Sequence, residues 1–221
     1  MATIRGFIFD LDGVLVDTAR YHFQAWQRLA GEIGIKFTEK ENEQLKGIGR
    51  RESIEKILGW GQKQASEEQI EAWMHQKNLW YLELIETMDE DEVLPGVRSF
   101  LERAAQSGLK IALGSASRNA PKILDKVKLT PYFDAIIDGN ATTRSKPDPQ
   151  VFLLGAEALK IAPEKLVVFE DAQAGIEAAL AGSFRCIGIG EAKNLKGAEI
   201  VLPGLQNTTP SKIINQLNFN N

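Results

Sequence analysis

Apolar positions along this chain follow two rhythms. Near the start, Phe7-Ile8-Phe9 forms a short, near-continuous apolar run, the mark of a strand buried on both faces. From about residue 19 to 88 no convincing strand appears. Apolar residues there recur at helical spacing, as in Phe23, Trp26, Leu29, Ala30 and Ile33, and again in Trp73, Trp80, Leu84 and Ile85. Gly31, Gly34, Gly47, Gly49, Gly59 and Gly61 divide this stretch into several helices. After Pro95-Gly96 the pattern alternates between helices and apolar strands. The strands are predicted at Leu109–Leu113, Ala135–Ile137, Leu166–Phe169 and Cys186–Ile189. Such alternation predicts an α/β fold with a Rossmann-like parallel sheet. Residues 1–16 and 89–221 are read as that α/β core, and 17–88 as a small helical bundle inserted after the first strand.

Composition narrows the class without changing the architecture. Of the 221 residues, 43% are hydrophobic and 25% charged, as in a globular protein with a real core. The net charge of −4 and a pI near 5.4, with no long basic run, argue against a nucleic-acid partner. The apolar run at the N-terminus is too short for a signal-peptide core, and no stretch approaches the ~20 residues of a membrane span. A cytoplasmic monomer without membrane or nucleic-acid partners is expected. The single cysteine, Cys186, sits in an apolar strand and is read as structural, as is His75.

The candidate chemistry lies where strands end. The first strand runs into Asp10-Leu11-Asp12-Gly13, and side chains at i and i+2 of an extended segment share a side. In open α/β sheets, ligands bind beyond the carboxyl ends of the strands. Two acids there can supply a metal ligand, a nucleophile and a proton-transfer group. A plain strand leading into an Asp-Gly turn is the ordinary alternative. Gly114-Ser115-Ala116-Ser117-Arg118-Asn119 offers hydroxyls and backbone N–H groups to an oxyanion, or ordinary helix capping by Ser117 or Asn119. Lys146, within Ser145-Lys146-Pro147-Asp148-Pro149, is either a solvated turn lysine or a charge neutraliser for a carboxylate and a phosphoryl group. Glu170-Asp171 ends another apolar strand with hard oxygen ligands of the kind Mg²⁺ takes.

Taken in order, these four signals resemble the haloacid dehalogenase-like superfamily of phosphotransferases over essentially the whole chain. Within it, the sequence is similar to the β-phosphoglucomutase family. The similarity is carried by Asp10–Val14, Asp17–Trp26, Asn42–Ile48 with Arg50, Ser53 and Lys77-Asn78, and the serine loop ending at Asn119. The chain carries Arg118 where that family commonly has Lys, and Gly49 where a Ser is common.

The resemblance implies that Asp10 is the nucleophile and Asp12 the general acid/base. Ser115, Lys146, Thr18 and His22 complete the catalytic group. Mg²⁺ would be held by Asp10, Asp12 (through its backbone carbonyl), Glu170 and Asp171. Trp26, Leu45, Gly47, Ile48, Gly49, Arg50, Ser53 and Lys77 would bind substrate, with Ala116, Ser117, Arg118 and Asn119 opposite them. The implied reaction interconverts β-D-glucose 1-phosphate and glucose 6-phosphate through a bound β-glucose 1,6-bisphosphate. A sugar-phosphate phosphatase on the same scaffold is the nearest alternative. A phosphate-receiver protein is disfavoured by the long insertion, and a catalytically dead binding module by the intact acids and lysine. A Rossmann dehydrogenase is set aside, because no strand is followed by Gly-x-Gly-x-x-Gly.

Overall fold

A computed structural model describes residues 3–219, so residues 1–2 and 220–221 of the assigned core lie outside it. The strands are β1 (Gly6–Phe9), β2 (Lys110–Gly114), β3 (Ala135–Ile137), β4 (Leu166–Glu170), β5 (Arg185–Ile189) and β6 (Ile200–Leu202). They form one parallel sheet in the order β3-β2-β1-β4-β5-β6. The helices around it are α5 (Val97–Gln106), α6 (Ala120–Lys126), α7 (Gln150–Leu159), α8 (Gln173–Ala181) and α9 (Pro210–Phe219). Between residues 19 and 88 the described chain is helices, turns and loops: α1 (Ala19–Glu32), α2 (Glu39–Glu43), α3 (Arg50–Trp60) and α4 (Glu67–Glu86). No described helix is long and apolar enough to cross a membrane.

Alternation along β1 explains why the sheet is covered on both faces. Phe7 and Phe9 enter one apolar cluster with Phe100 of α5 and Ile213 of α9. Ile8 enters the other, with Phe152 of α7 and Ile176 of α8. Successive strand side chains point to opposite faces, so a strand buried on both has no polar position to spare. The ring of Phe9 stacks on that of Phe169, with centroids 4.7 Å apart, and both rings pack edge-on against Phe7 and Phe100. Each such aromatic pair adds about 0.5–1.5 kcal/mol beyond its buried area. The pairing of Phe9 with Phe169 also fixes register, so that Asp10 and Glu170 leave the sheet side by side.

Three sequence expectations are corrected. The second strand lies one residue later than predicted, ending on Gly114, where a Cβ would press to 2.8 Å from the Phe152 ring. β6 was not predicted, because three apolar residues between Glu199 and Pro203 are too few to show a period. Asp10 and Asp12 also do not continue as an extended strand. The regular strand stops at Phe9, and the chain turns through Gly13 at φ +80°. Two connectors link the sheet to the four-helix segment, and they are themselves paired. Val16 bridges Val93, Asp17 N donates to Glu92 O at 3.0 Å, and Leu94 N donates to Leu15 O at 3.0 Å.

Candidate active site

The centre is built on the ends of β1 and β4. The Asp10 amide donates to Phe169 O at 2.9 Å, holding a carboxylate that is 4% exposed. Lys146 Nζ donates to Asp10 Oδ1 at 2.6 Å and to Glu170 Oε2 at 2.7 Å. Asp10 Oδ2 accepts from the Asp12 amide at 3.0 Å. The lysine that a local reading leaves in solvent is therefore fully buried between two carboxylates. Burial pulls its pKa down, but Asp10 and Glu170 more than offset this and hold it above the ordinary lysine value. Burial pushes Glu170 up to about 7 against the pull of Lys146. Asp171 is also raised well above its usual range, by burial and then by the charge of Glu170.

Asp10, Glu170 and Asp171 each place a carboxylate oxygen within 4.8 Å of the others. Carboxylates lifted by burial and mutual repulsion are stabilised by positive charge, and oxygen donors suit Mg²⁺, so this set fits a divalent cation. Gly13 is part of that fit. A Cβ there would lie 2.3 Å from Asp171 Oδ2, so only glycine admits the carboxylate, quite apart from its positive φ.

The Asp12 carboxylate faces the same cavity as Asp10, and its Oδ1 accepts from Thr18 Oγ1. Only its backbone carbonyl remains for the ligand role expected of it. Burial and then the Asp10 charge raise the Asp12 pKa to about 6, the Thr18 bond opposing them. His22 Nε2 lies 3.8 Å from the same oxygen, and His22 Nδ1 lies 2.9 Å from Lys77 Nζ. Burial, then Lys77 and Arg50, hold His22 well below its ordinary pKa. A neutral ring that accepts from Lys77 at Nδ1 carries its proton on Nε2, toward Asp12. Lys77 sits over the rings of Trp26 at 4.7 Å and Tyr81 at 4.8 Å.

A cavity of about 510 Å³ opens over these groups between the sheet edge and the helical segment. Its wall includes Asp10, Asp12, His22, Trp26, Leu45, Gly47, Ile48, Gly49, Arg50, Ser53, Lys77, Ala116, Ser117, Arg118, Asn119, Lys146 and Asp171. Thr18, Ser115 and Glu170 are fully buried behind it. The serine loop folds on itself, with Ser115 Oγ accepting from the Ser117 amide and Ser117 Oγ from the Asn119 amide. The Asn119 side chain does not cap α6. Its Nδ2 donates to Asn78 Oδ1 at 3.0 Å, and Arg50 Nη2 donates to the same oxygen at 2.7 Å. Burial and the neighbouring Arg118 charge lower the Arg50 pKa. Ser53 Oγ is used locally, donating to Gly49 O at 3.0 Å. At Gly49 a Cβ would lie 2.3 Å from Ser145 Oγ, so the glycine lets the two walls meet.

Lys46 and His75 carry no individual signal of function in the sequence. Both line the cavity. Lys46 Nζ lies 3.6 Å from Asp171 and 3.0 Å from Glu43. Nothing in the local pattern separates Lys46 from a solvated loop lysine.

Three comparisons bear on this arrangement. Residues 4–182 match the hydrolase family described as haloacid dehalogenase-like hydrolase. The chain is 40% identical to β-phosphoglucomutase of Bacillus subtilis (strain 168) over 90% of its own length and 89% of that protein's. It is 34% identical to a phosphorylated carbohydrates phosphatase of Thermotoga maritima, over 95% of this chain and 96% of the other. Among solved structures, the crystal structure of β-phosphoglucomutase from Clostridium difficile superposes with a TM-score of 0.94 at 38% identity, covering 98% of each chain. With the acidic strand ends, the buried lysine and the sheet order already in place, these matches identify the chain as a member of the haloacid dehalogenase-like family.

Proposed function

We propose that this enzyme is a β-phosphoglucomutase, interconverting β-D-glucose 1-phosphate and glucose 6-phosphate through a phosphorylated Asp10 and a β-glucose 1,6-bisphosphate intermediate. The observation that carries this is the cavity's two ends. One holds a buried nucleophile–lysine pair beside an acid/base carboxylate. The other holds Arg50, with Arg118 near enough for its charge to act on it, and both are joined to the asparagines Asn78 and Asn119 or lie beside them. A phosphatase needs only the first. A sugar that is phosphorylated at either end, and reversed between two transfers, needs both. The chain's similarity to the Bacillus subtilis and Clostridium difficile mutases points the same way.

In this reading the Asp10 carboxylate attacks phosphorus, with Lys146 neutralising charge on both nucleophile and phosphoryl group. Asp10, the Asp12 carbonyl, Glu170 and Asp171 hold Mg²⁺. When bound, the ion supplies the positive charge that lets an anion approach an anion. Asp12 Oδ takes a proton from the sugar hydroxyl as that hydroxyl attacks phospho-Asp10, and returns one in the reverse direction. The Ser115 hydroxyl and the Ala116 amide steady the phosphoryl oxygens. His22, held by Lys77, keeps Asp12 aligned. Arg50, Ser117, Arg118 and Asn119 grip the phosphate that does not react, which fixes the sugar in line with Asp10. Residues 17–88 act as the cap that excludes water during transfer, with the core formed by residues 1–16 and 89–221.

The test is product analysis with Mg²⁺ and a trace of glucose 1,6-bisphosphate. Conversion of the β-anomer of glucose 1-phosphate to glucose 6-phosphate, with the α-anomer unused and little inorganic phosphate released, is expected. Inorganic phosphate as the main product would place the chain with phosphatases such as its Thermotoga maritima relative.

A further inference from the structure

Lys46 lies on the connection between α2 and α3, and its Nζ is shared between two carboxylates. One, Glu43 at 3.0 Å, belongs to the same helical segment, and the other, Asp171 at 3.6 Å, belongs to the end of β4. The Lys46 side chain is 27% exposed and that of Asp171 11%, so the pair is neither sealed nor free. Lys46 and Asp171 together also line a second cavity, of about 630 Å³. Glu43, Asp17 and Glu191 line that cavity as well. An ammonium leaving Asp171 therefore stays paired with Glu43 and turns toward an acidic chamber, at small cost.

We infer that Lys46 is a tethered counter-ion of Asp171 that a divalent cation displaces, so that metal loading and this contact between the helical segment and the sheet oppose each other. The inference rests on the reading of Asp10, Glu170 and Asp171 as the metal site. Two cations next to one carboxylate repel each other, so the lysine lowers metal affinity in the free enzyme. Metal binding in turn releases one of the ties that draw the helical segment down onto the sheet. Metal affinity is thereby set partly by a residue that is not a metal ligand.

The probe is Mn²⁺ added without sugar, with the free ion counted by its paramagnetic resonance signal. Lys46→Met and Lys46→Gln should each bind Mn²⁺ about three- to tenfold more tightly than the parent protein, a range set by a partly screened charge at this separation. Lys46→Arg, which keeps the charge, should bind like the parent. Backbone hydrogen exchange across residues 44–49 should quicken when Mg²⁺ is added to the parent, and should already be fast in Lys46→Met without metal. Unchanged or weaker Mn²⁺ binding in both neutral variants would overturn the counter-ion role. Undiminished binding in Asp171→Asn would remove the metal site itself, a separate failure.

Discussion

Replacing Lys146 with methionine tests the buried triad at the centre of the site. Methionine keeps most of the side chain's length and loses the ammonium that lies 4.7 Å from the centre of the Phe152 ring, so the change removes charge more than volume. Asp10 and Glu170, 4% and 0% exposed, are then left without the ammonium 2.6 and 2.7 Å away. Removing one partner from a buried ion pair costs about 3–5 kcal/mol. For a chain of this length that corresponds to a fall in Tm of roughly 6–20 °C. The loss depends on pH with a definite sign. Glu170 is raised from 4.5 to about 7 even with Lys146 pulling it down, and without Lys146 it rises further. A carboxyl raised in the folded state keeps a proton that the unfolded chain gives up, so the folded state loses ground as pH climbs from 4.5 through the folded value. The deficit of Lys146→Met should be full at pH 8.5 and smaller by at least about 1.4 kcal/mol, one pKa unit, at pH 5.5. Urea denaturation of both proteins at both pH values, with a chelator present, gives the four free energies required. A deficit under about 1 kcal/mol at pH 8.5, or an equal one at both pH values, would refute the reasoning.

Two further outcomes follow from the same geometry. With Asp12 raised to about 6, kcat/KM for β-glucose 1-phosphate should fall about tenfold per pH unit below that value, because the base form takes the sugar's proton, and Asp12→Asn should lose this inflection. Arg50→Ala should weaken sugar-bisphosphate binding roughly 10- to 150-fold, the worth of a hydrogen bond to a charged group, while leaving phosphorylation by acetyl phosphate nearly intact. Equal loss with both donors would make Arg50 a structural residue.

The strand ends were legible in the sequence because chemistry and fold coincide there. An apolar run that stops on Asp10-Leu11-Asp12 or on Glu170-Asp171 announces both a buried strand and what it carries. Lys146 was harder, since a lysine among prolines and serines is locally indistinguishable from a solvated one. Its burial is decided by two carboxylates far away in sequence. The early end of the strand was hidden for a similar reason. Period-two spacing assumes an extended chain, whereas β1 stops at Phe9 and the chain turns at Gly13, where the close approach of Asp171 from another loop leaves no room for a Cβ. Lys46 and Asn78 show the limit most clearly. Each owes its position to contacts between the helical segment and the sheet, and periodicity within either part carries no trace of them.

The sheet order also bears on how the chain is made. β1 is synthesised before both of its neighbours, which are β2, paired Gly6 to Lys110, and β4, paired Gly6 to Leu166. At about 5–20 residues per second, a strand with four buried positions waits on the order of 5–20 s for the nearer neighbour and longer for the other. During that interval Phe7, Ile8 and Phe9 have no sheet to join. The helical segment is synthesised in the gap, and α1 can pack on α4 before β2 has been made. Asp10, at the end of β1, is thus translated well before its surroundings are complete, which happens only after Asp171 has emerged. Truncated or stalled chains shorter than that would carry an aggregation-prone strand without the activity it serves.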